Sequence, residues 1–159
     1  MNLYDEFFSI VEAFEKNDIT YAVIGGFALA FHEKPRFTED IDALVSHNDL
    51  EKSKKLLEDL RFFRSTDPHP FLKTSLVLHQ FVKTIENDYL ILDLLAGKDD
   101  KFEDFLKNNI NFDWEKGTVS VISREDLIRL KEMRNSDQDK VDIKQLRNDE
   151  KEDNGRAKG

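Results

Sequence analysis

The chain has 159 residues with a formal net charge of −9 at pH 7, and it contains no cysteine. The length predicts one domain that is large enough to bury a hydrophobic core. The composition excludes disulfides and thiolate metal sites, the acidic balance argues against a broad basic surface for duplex nucleic acid, and no apolar run approaches the roughly 20 residues of a membrane span.

Apolar residues in the first half of the chain repeat alternately with the periods of helices and of strands. They predict helices and strands over residues 3–16 (helix), 19–24 (strand), 27–32 (helix), 41–45 (strand) and 50–62 (helix). Gly25 and Gly26 fall where the first strand turns into the second helix.

The second half predicts three further strands, over residues 76–82, 89–95 and 118–122. The short link 84–88 makes the first two of these antiparallel neighbours. Ser123 and Asp126 have the spacing of a capping box, so a helix begins near Arg124. The order of elements predicts an α+β fold in which helices pack against a mixed sheet.

Asp40 and Asp42 are separated by one residue on a predicted strand. Because side chains alternate across a strand, both carboxylates point to one face while Ile41 points into the core. Two carboxylates about 7 Å apart along the backbone can converge on cations that lie about 4 Å apart. The pair therefore predicts a two-metal platform.

Gly25 and Gly26 stand at a strand-to-helix turn. Glycine lets backbone N–H groups approach a ligand closely, and a helix N-terminus carries partial positive charge, which suits a triphosphate. The alternative interpretation is an ordinary tight turn without a ligand.

Asp93 is a charged residue inside the otherwise apolar strand 89–95. An ionised carboxylate in an interior strand costs several kcal/mol unless it is paired or binds a metal. The alternative is that Asp93 marks an exposed strand end before the loop 96–98. Together with the glycine turn and the two earlier aspartates, the residue predicts a third ligand of the same metal site.

This combination resembles the DNA polymerase β-type nucleotidyltransferase superfamily, whose signature is an apolar strand, Gly-Gly or Gly-Ser, Asp-x-Asp and a later Asp on a neighbouring strand. More narrowly, residues 25–28, 35–42 and 126–142 resemble small members related to abortive-infection toxin nucleotidyltransferases (AbiEii family). The resemblance covers roughly residues 7–146 and implies a nucleotidyltransferase-type sheet.

The resemblance also implies an activity, which is the transfer of a nucleoside monophosphate from an NTP to a hydroxyl group, with two Mg²⁺ ions. Asp40 and Asp42 would hold the ions, and Asp93 would share the second ion and assist proton removal. Relatives modify tRNA ends, small antibiotics or protein hydroxyls, so the acceptor stays open. The toxin resemblance predicts a toxin–antitoxin or defence setting with an antitoxin partner.

Three further residues are expected to contact or support the nucleotide. Arg36 precedes the metal strand and is predicted to bind phosphate, while Thr38 braces the same loop or contacts the nucleotide. Lys131 matches a lysine that lies near the nucleotide in relatives. Solvated surface positions are the alternative for Arg36 and Lys131, and a purely structural role is the alternative for Thr38.

The sequence departs from the family pattern at two positions. Gly26 stands where many active relatives have Ser, which removes a hydroxyl contact to phosphate, and Glu33 stands where relatives often have Gly. A second hypothesis is therefore a non-catalytic nucleotide-binding or protein-interaction module of the same fold. We expect a single domain over residues 1–146, a disordered polar tail over 147–159, and a cytoplasmic protein without a membrane partner.

Overall fold

The computed structural model of the protein describes residues 2–32, 34 and 39–157. Its strands are β1 Tyr21–Ile24, β2 Asp40–Val45, β3 Phe63–Arg64, β4 His69–Pro70, β5 Val77–Ile85, β6 Asp88–Ala96, β7 Ile110–Trp114 and β8 Gly117–Val121. Its α-helices are α1 Leu3–Lys16, α2 Gly25–Phe31, α3 Leu50–Asp59, α4 Glu103–Lys107, α5 Arg124–Arg134 and α6 Asp137–Ala157.

The strands form one mixed sheet in the order β3-β5-β6-β2-β1-β8-β7, with β4 also paired to β5. Strand β2 runs antiparallel to β1 and parallel to β6, whereas β5 and β6 form an antiparallel hairpin. The predicted α+β fold with a mixed sheet and packed helices is confirmed, as is the antiparallel pairing of the two strands on either side of the link 84–88.

Helix α1 shows how the sequence produces these elements. Asn2 caps the helix, because its side-chain oxygen accepts hydrogen bonds from the backbone N–H groups of Tyr4 and Asp5. The apolar stripe of the helix is buried in the core and consists of Phe7, Ile10, Val11 and Phe14. Burial of this stripe fixes the helix on the sheet.

Some elements differ from the sequence-based expectation. The short strands β3 and β4, the helix α4 and the strand β7 are not among the predicted elements. In β7 the apolar Ile110, Phe112 and Trp114 alternate with polar residues, which is a strand pattern, although most of its side chains are exposed at the sheet edge. Helix α3 ends at Asp59 rather than at Phe62, because Arg61 adopts a left-handed backbone conformation with φ of 70°.

Helix α6 continues to Ala157, into the segment from Arg147 onward for which the sequence predicts a disordered tail. Lysine, arginine and glutamate favour helices even without an apolar anchor, which is a physical reason for this difference. The boundaries of the single domain remain a prediction. No α-helix in the described part of the chain is long and apolar enough to span a bilayer.

Candidate active site

Asp42 and Asp93 stand side by side on neighbouring strands. Strands β2 and β6 pair in parallel with Asp42 opposite Asp93, so the two side chains lie on the same face of the sheet. Both line a cavity of about 170 Å³. Asp40 lies two residues before Asp42 and therefore on the same face. The topology thus brings the three predicted carboxylates to one site.

The turn after β1 is built around the carboxylate of Asp42. Gly25 has φ of 69°, and a Cβ atom there would lie 2.3 Å from Oδ2 of Asp42. Both the left-handed backbone and the close approach require glycine. Gly25 also lines the cavity, whereas Gly26 is buried in helix α2 and is not one of the residues that line it.

Two of the carboxylates, Asp40 and Asp42, lie in an environment that disfavours negative charge. Burial raises the pKa of Asp42 to about 7, and repulsion from Asp93 and Asp40 adds to the rise. Burial also raises the pKa of Asp40, with further contributions from Asp93 and Glu39. Carboxylates with raised pKa values beside a cavity are typical of functional sites, because burying them without a ligand costs stability.

We expect the stability of the metal-free protein to fall as the pH rises from about 4 to about 7. The folded protein retains the proton of Asp42 up to about pH 7, whereas an unfolded chain releases it near pH 4. The loss reaches up to about 4 kcal/mol for three pKa units. Denaturant titrations in a chelating buffer at several pH values would measure it, and Asp42→Asn should remove most of the slope, leaving the smaller part due to Asp40. An unchanged slope in that variant would refute the assignment.

Helix α5 supplies two cations to the same cavity, Lys131 and Arg134. Lys131 is only 4% exposed, and its Nζ lies 2.9 Å from Oδ2 of Asp142 and 3.8 Å from Oδ1 of Asp139. Arg134 is half exposed, and it donates two hydrogen bonds to Asp139, of 2.8 and 2.6 Å. Lys131 is therefore held by protein carboxylates, while Arg134 is the more accessible cation.

Asp139 itself is fully buried at the start of α6. Burial raises the pKa of this carboxyl group, but hydrogen bonds from Arg134 and Ser136 outweigh burial and lower the pKa below its ordinary value. Asp139 therefore carries a full negative charge at neutral pH. It fixes the position of the α5 cations above the sheet.

The rest of the cavity wall is apolar. Aliphatic and aromatic side chains from the sheet, from α5 and from the loop before β5 form it, namely Ile24, Phe71, Leu78, Leu95, Leu127 and Leu130. Carboxylates, two cations and an apolar wall thus surround one small space. A ligand that carries phosphate next to a ring would find complementary groups on both sides.

A different group of side chains has the tightest metal-ligand spacing in the described residues. His47, Asp100 and Glu103 have ligand atoms within 4.8 Å of one another. They lie beyond the other end of β2, and they are already partnered, since His47 pairs with Asp100 at 2.7 Å and Glu103 accepts from Ser46. Asp100 is 87% exposed, so an ordinary surface ion pair accounts for the cluster.

Not every predicted site residue can be placed. The structure brings Gly25, Asp40, Asp42, Asp93 and Lys131 together, and it separates Gly26 from the cavity. Arg36 and Thr38, like the departure at Glu33, lie outside the described residues. Sequence reasoning missed the apolar wall, because its members come from distant parts of the chain.

A comparison with known protein families shows which family the chain belongs to. Residues 3–148 match the family described as "Nucleotidyltransferase of unknown function (DUF6036)". The chain belongs to this family. The nucleotidyltransferase resemblance seen in the sequence is thereby confirmed, while the narrower AbiEii relationship has no support and stays a prediction.

Solved structures share the fold of this DUF6036 nucleotidyltransferase. TM1012 of Thermotoga maritima matches with a TM-score of 0.61 and 10% identity, over 90% of this chain and 91% of that protein. Lincomycin-bound LnuA, a lincosamide antibiotic adenylyltransferase, matches with 0.59 and 18% identity, over 90% and 95%. ANT(2″)-Ia in complex with adenylyl-2″-tobramycin matches with 0.53 and 14% identity, over 88% and 84%. No curated protein matches the sequence significantly.

Proposed function

We propose that this protein transfers a nucleoside monophosphate from an NTP to a hydroxyl group of a small acceptor, with Mg²⁺ bound by Asp40, Asp42 and Asp93. The observation that carries the proposal is the register of Asp42 opposite Asp93 in the cavity that Lys131 and Arg134 also line. Carboxylates facing cations across a small space fit a phosphoryl-transfer site, which works by positioning and charge neutralisation.

The donor set fits Mg²⁺. Magnesium prefers carboxylate oxygens, and a bound cation would offset the burial and the repulsion from Asp93 and Asp40 that raise the pKa of Asp42. Three carboxylates are enough to hold the two ions that the family resemblance implies. Bound there, Mg²⁺ would neutralise charge on the triphosphate and make the acceptor hydroxyl more acidic.

The residues of the chain itself have separate tasks in this proposal. Asp93 accepts the proton of the attacking hydroxyl, because a carboxylate at the cavity surface is a suitable general base. Gly25 keeps the backbone close to Asp42, since any side chain there would collide with the Asp42 carboxylate. Pyrophosphate then leaves along this turn, which Gly26 supports from within the helix.

Arg134 is the best placed cation for phosphate contact. Its Nε and one terminal nitrogen bond Asp139, whereas Nη1 has no hydrogen bond to a described residue. Lys131 contributes positive charge to the cavity without contacting the phosphate, since its ammonium group already donates a hydrogen bond to Asp142. Arg36 and Thr38 remain proposed nucleotide contacts on the strength of the sequence alone.

The acceptor and the nucleotide are proposed from the neighbours in fold. LnuA binds lincomycin and ANT(2″)-Ia is found with adenylyl-tobramycin, which favours ATP as the donor and a small hydroxylated molecule as the acceptor. tRNA ends and protein hydroxyls are the alternative acceptors. A toxin–antitoxin setting with an antitoxin partner, and a location in the cytoplasm, remain predictions from the sequence.

The direct test is a transfer assay. Purified protein is incubated with each α-labelled NTP, Mg²⁺ and panels of antibiotics, tRNA and proteins, and both labelled product and pyrophosphate are measured. We expect transfer to one class of acceptor and no pyrophosphate after chelation. Tight NTP binding without pyrophosphate release under any condition would favour the non-catalytic module instead.

Arg134→Lys is expected to raise KM for the NTP about 10-fold while kcat changes less. Lysine keeps the charge, but it cannot bind Asp139 and a phosphate through separate nitrogens of one planar group. Steady-state kinetics with varied NTP would measure the effect.

Arg129→Lys is the matched control, because Arg129 lies on the same helix, is 66% exposed and faces Asp126. Its kinetics should equal those of the unmodified protein. A fall in kcat without a change in KM for Arg134→Lys would contradict a role in ground-state phosphate binding.

A further inference from the structure

Asp93 is held by a side chain of the neighbouring strand. Gln80 on β5 pairs in register with Asp93 on β6, and its Nε2 donates a hydrogen bond of 3.1 Å to Oδ1 of Asp93. No described residue hydrogen-bonds the other oxygen, Oδ2. One oxygen of the carboxylate is therefore fixed by the sheet, and the other is available for a ligand.

The orientation of Gln80 is set in turn by Ser65. Ser65 follows β3, and its Oγ lies 3.0 Å from Oε1 of Gln80. A carboxylate only accepts hydrogen bonds, so the amide must present its NH₂ group to Asp93 and its oxygen to the hydroxyl of Ser65. The backbone N–H of Ser65 also donates to the carbonyl of Gln80, at 3.0 Å, which keeps the two residues together.

We infer that Gln80 is the positioning residue of the active site, which holds the Asp93 carboxylate in a single orientation with Oδ2 free, and that Ser65 fixes Gln80 in this role. The inference rests on the proposed function, because it assigns Oδ2 to the divalent ion and the acceptor hydroxyl. It adds two residues that none of the sequence motifs includes, Gln80 on β5 and Ser65 just after β3.

The arrangement has a clear physical purpose. A carboxylate on a strand can rotate about its terminal torsion, and each unproductive orientation lowers the population that is ready to bind a cation. Loss of a group that hydrogen-bonds a metal-ligating side chain typically lowers metal affinity or activity by about 10-fold to 100-fold. Gln80 makes this kind of contact with Asp93 and has no charge of its own.

The test measures Mn²⁺ binding to the full chain without nucleotide, by electron paramagnetic resonance and calorimetry, together with the transfer kinetics. Gln80→Met keeps the length of the side chain but removes both hydrogen bonds. We expect Mn²⁺ to bind about 10-fold more weakly, at the lower end of the range for such contacts. We also expect a lower kcat with little change in KM for the NTP. Gln145→Met, at an exposed position of α6, is the matched control and should change neither quantity.

Ser65→Ala separately tests the relay from Ser65 through Gln80 to Asp93. It also keeps the inference testable if Gln80→Met does not fold, because Ser65 is exposed. We expect a smaller loss of Mn²⁺ affinity, and no further loss when Ser65→Ala is added to Gln80→Met. Equal effects of Ser65→Ala in both backgrounds would overturn the relay. An Mn²⁺ affinity within twofold of the unmodified protein in Gln80→Met would overturn the role of Gln80.

The outcomes separate this inference from the proposed function. If the unmodified protein transfers nucleotide and Gln80→Met binds Mn²⁺ as tightly as the unmodified protein, the inference alone is rejected. Mn²⁺ binding that depends on Gln80 without transfer to any acceptor would reject the proposed function alone. Failure of the unmodified protein to bind Mn²⁺ would reject both.

Discussion

Asp42→Asn is expected to reduce nucleotidyl transfer about 1,000-fold or more while the fold is retained. Asp42 is central in the carboxylate group, with Asp40 beside it on β2 and Asp93 opposite it on β6. Asparagine has the same shape but no charge, so the site would lose one cation ligand and its share of charge neutralisation. Pyrophosphate release and labelled product would report the loss.

The stability of the same variant should move in the opposite direction. At pH 8 the half-buried Asp42 carboxylate is repelled by its neighbours, and a neutral amide removes that repulsion. We therefore expect a melting temperature equal to or above that of the unmodified protein in a chelating buffer. Asp59→Asn, at the exposed end of α3, is the control and should leave both transfer and melting unchanged. Full activity of Asp42→Asn would contradict the assignment of the site.

The carboxylate site could be predicted because its signals are local. Asp40 and Asp42 share a face by strand alternation alone, and the apolar run around Asp93 marks an interior strand. Their meeting requires that the two strands be neighbours, which the family resemblance implies, while the parallel direction of the pairing is seen only in the structure. The observed register of Asp42 with Asp93 agrees with that expectation.

The partners of these residues could not be predicted in the same way. Gln80 meets Asp93 only in one register of the β5–β6 hairpin, and a shift by one residue would turn Gln80 to the other face of the sheet. Residues 86–87 form the turn of this hairpin, and Glu86 there has a positive φ of 55°, which glutamate rarely adopts and no sequence pattern predicts.

Lys131 shows the same limit for helices. The sequence places it on a helix near the nucleotide, but its burial against Asp142 depends on how α6 folds back on α5. Asn135 makes this possible, since it ends α5 in the left-handed conformation with φ of 52°. Asp139 and Asp142 match a late acidic pattern of the resembled family, which predicts partners for Lys131 or Arg134, but helical periodicity within either helix does not reveal which pairs form.

The packing of α6 against α5 is expected to depend on Asp139. Asp139→Ala should lower the free energy of unfolding by about 2–3 kcal/mol, the usual cost of leaving hydrogen-bond donors without a charged acceptor. The carboxylate is fully buried and accepts hydrogen bonds from Arg134 and from both the backbone N–H and the hydroxyl of Ser136. Alanine would leave these donors without an acceptor. Denaturant unfolding at pH 7 would measure the loss.

A structural role for Asp139 also predicts the pattern among its variants. Ser136 and Asp139 cap the start of α6 reciprocally, since the N–H of Asp139 donates to the hydroxyl of Ser136 in return. Asp139→Asn keeps one acceptor oxygen and should lose about half as much stability, and Asp137→Ala, two residues away and exposed, should change it by less than about 0.5 kcal/mol. Because Arg134 and Lys131 would lose their fixed positions, transfer should fall together with stability. If Asp139→Ala folded as firmly as the unmodified chain, the α5 cations would have to be held by other contacts, and the charge arrangement described above would be wrong.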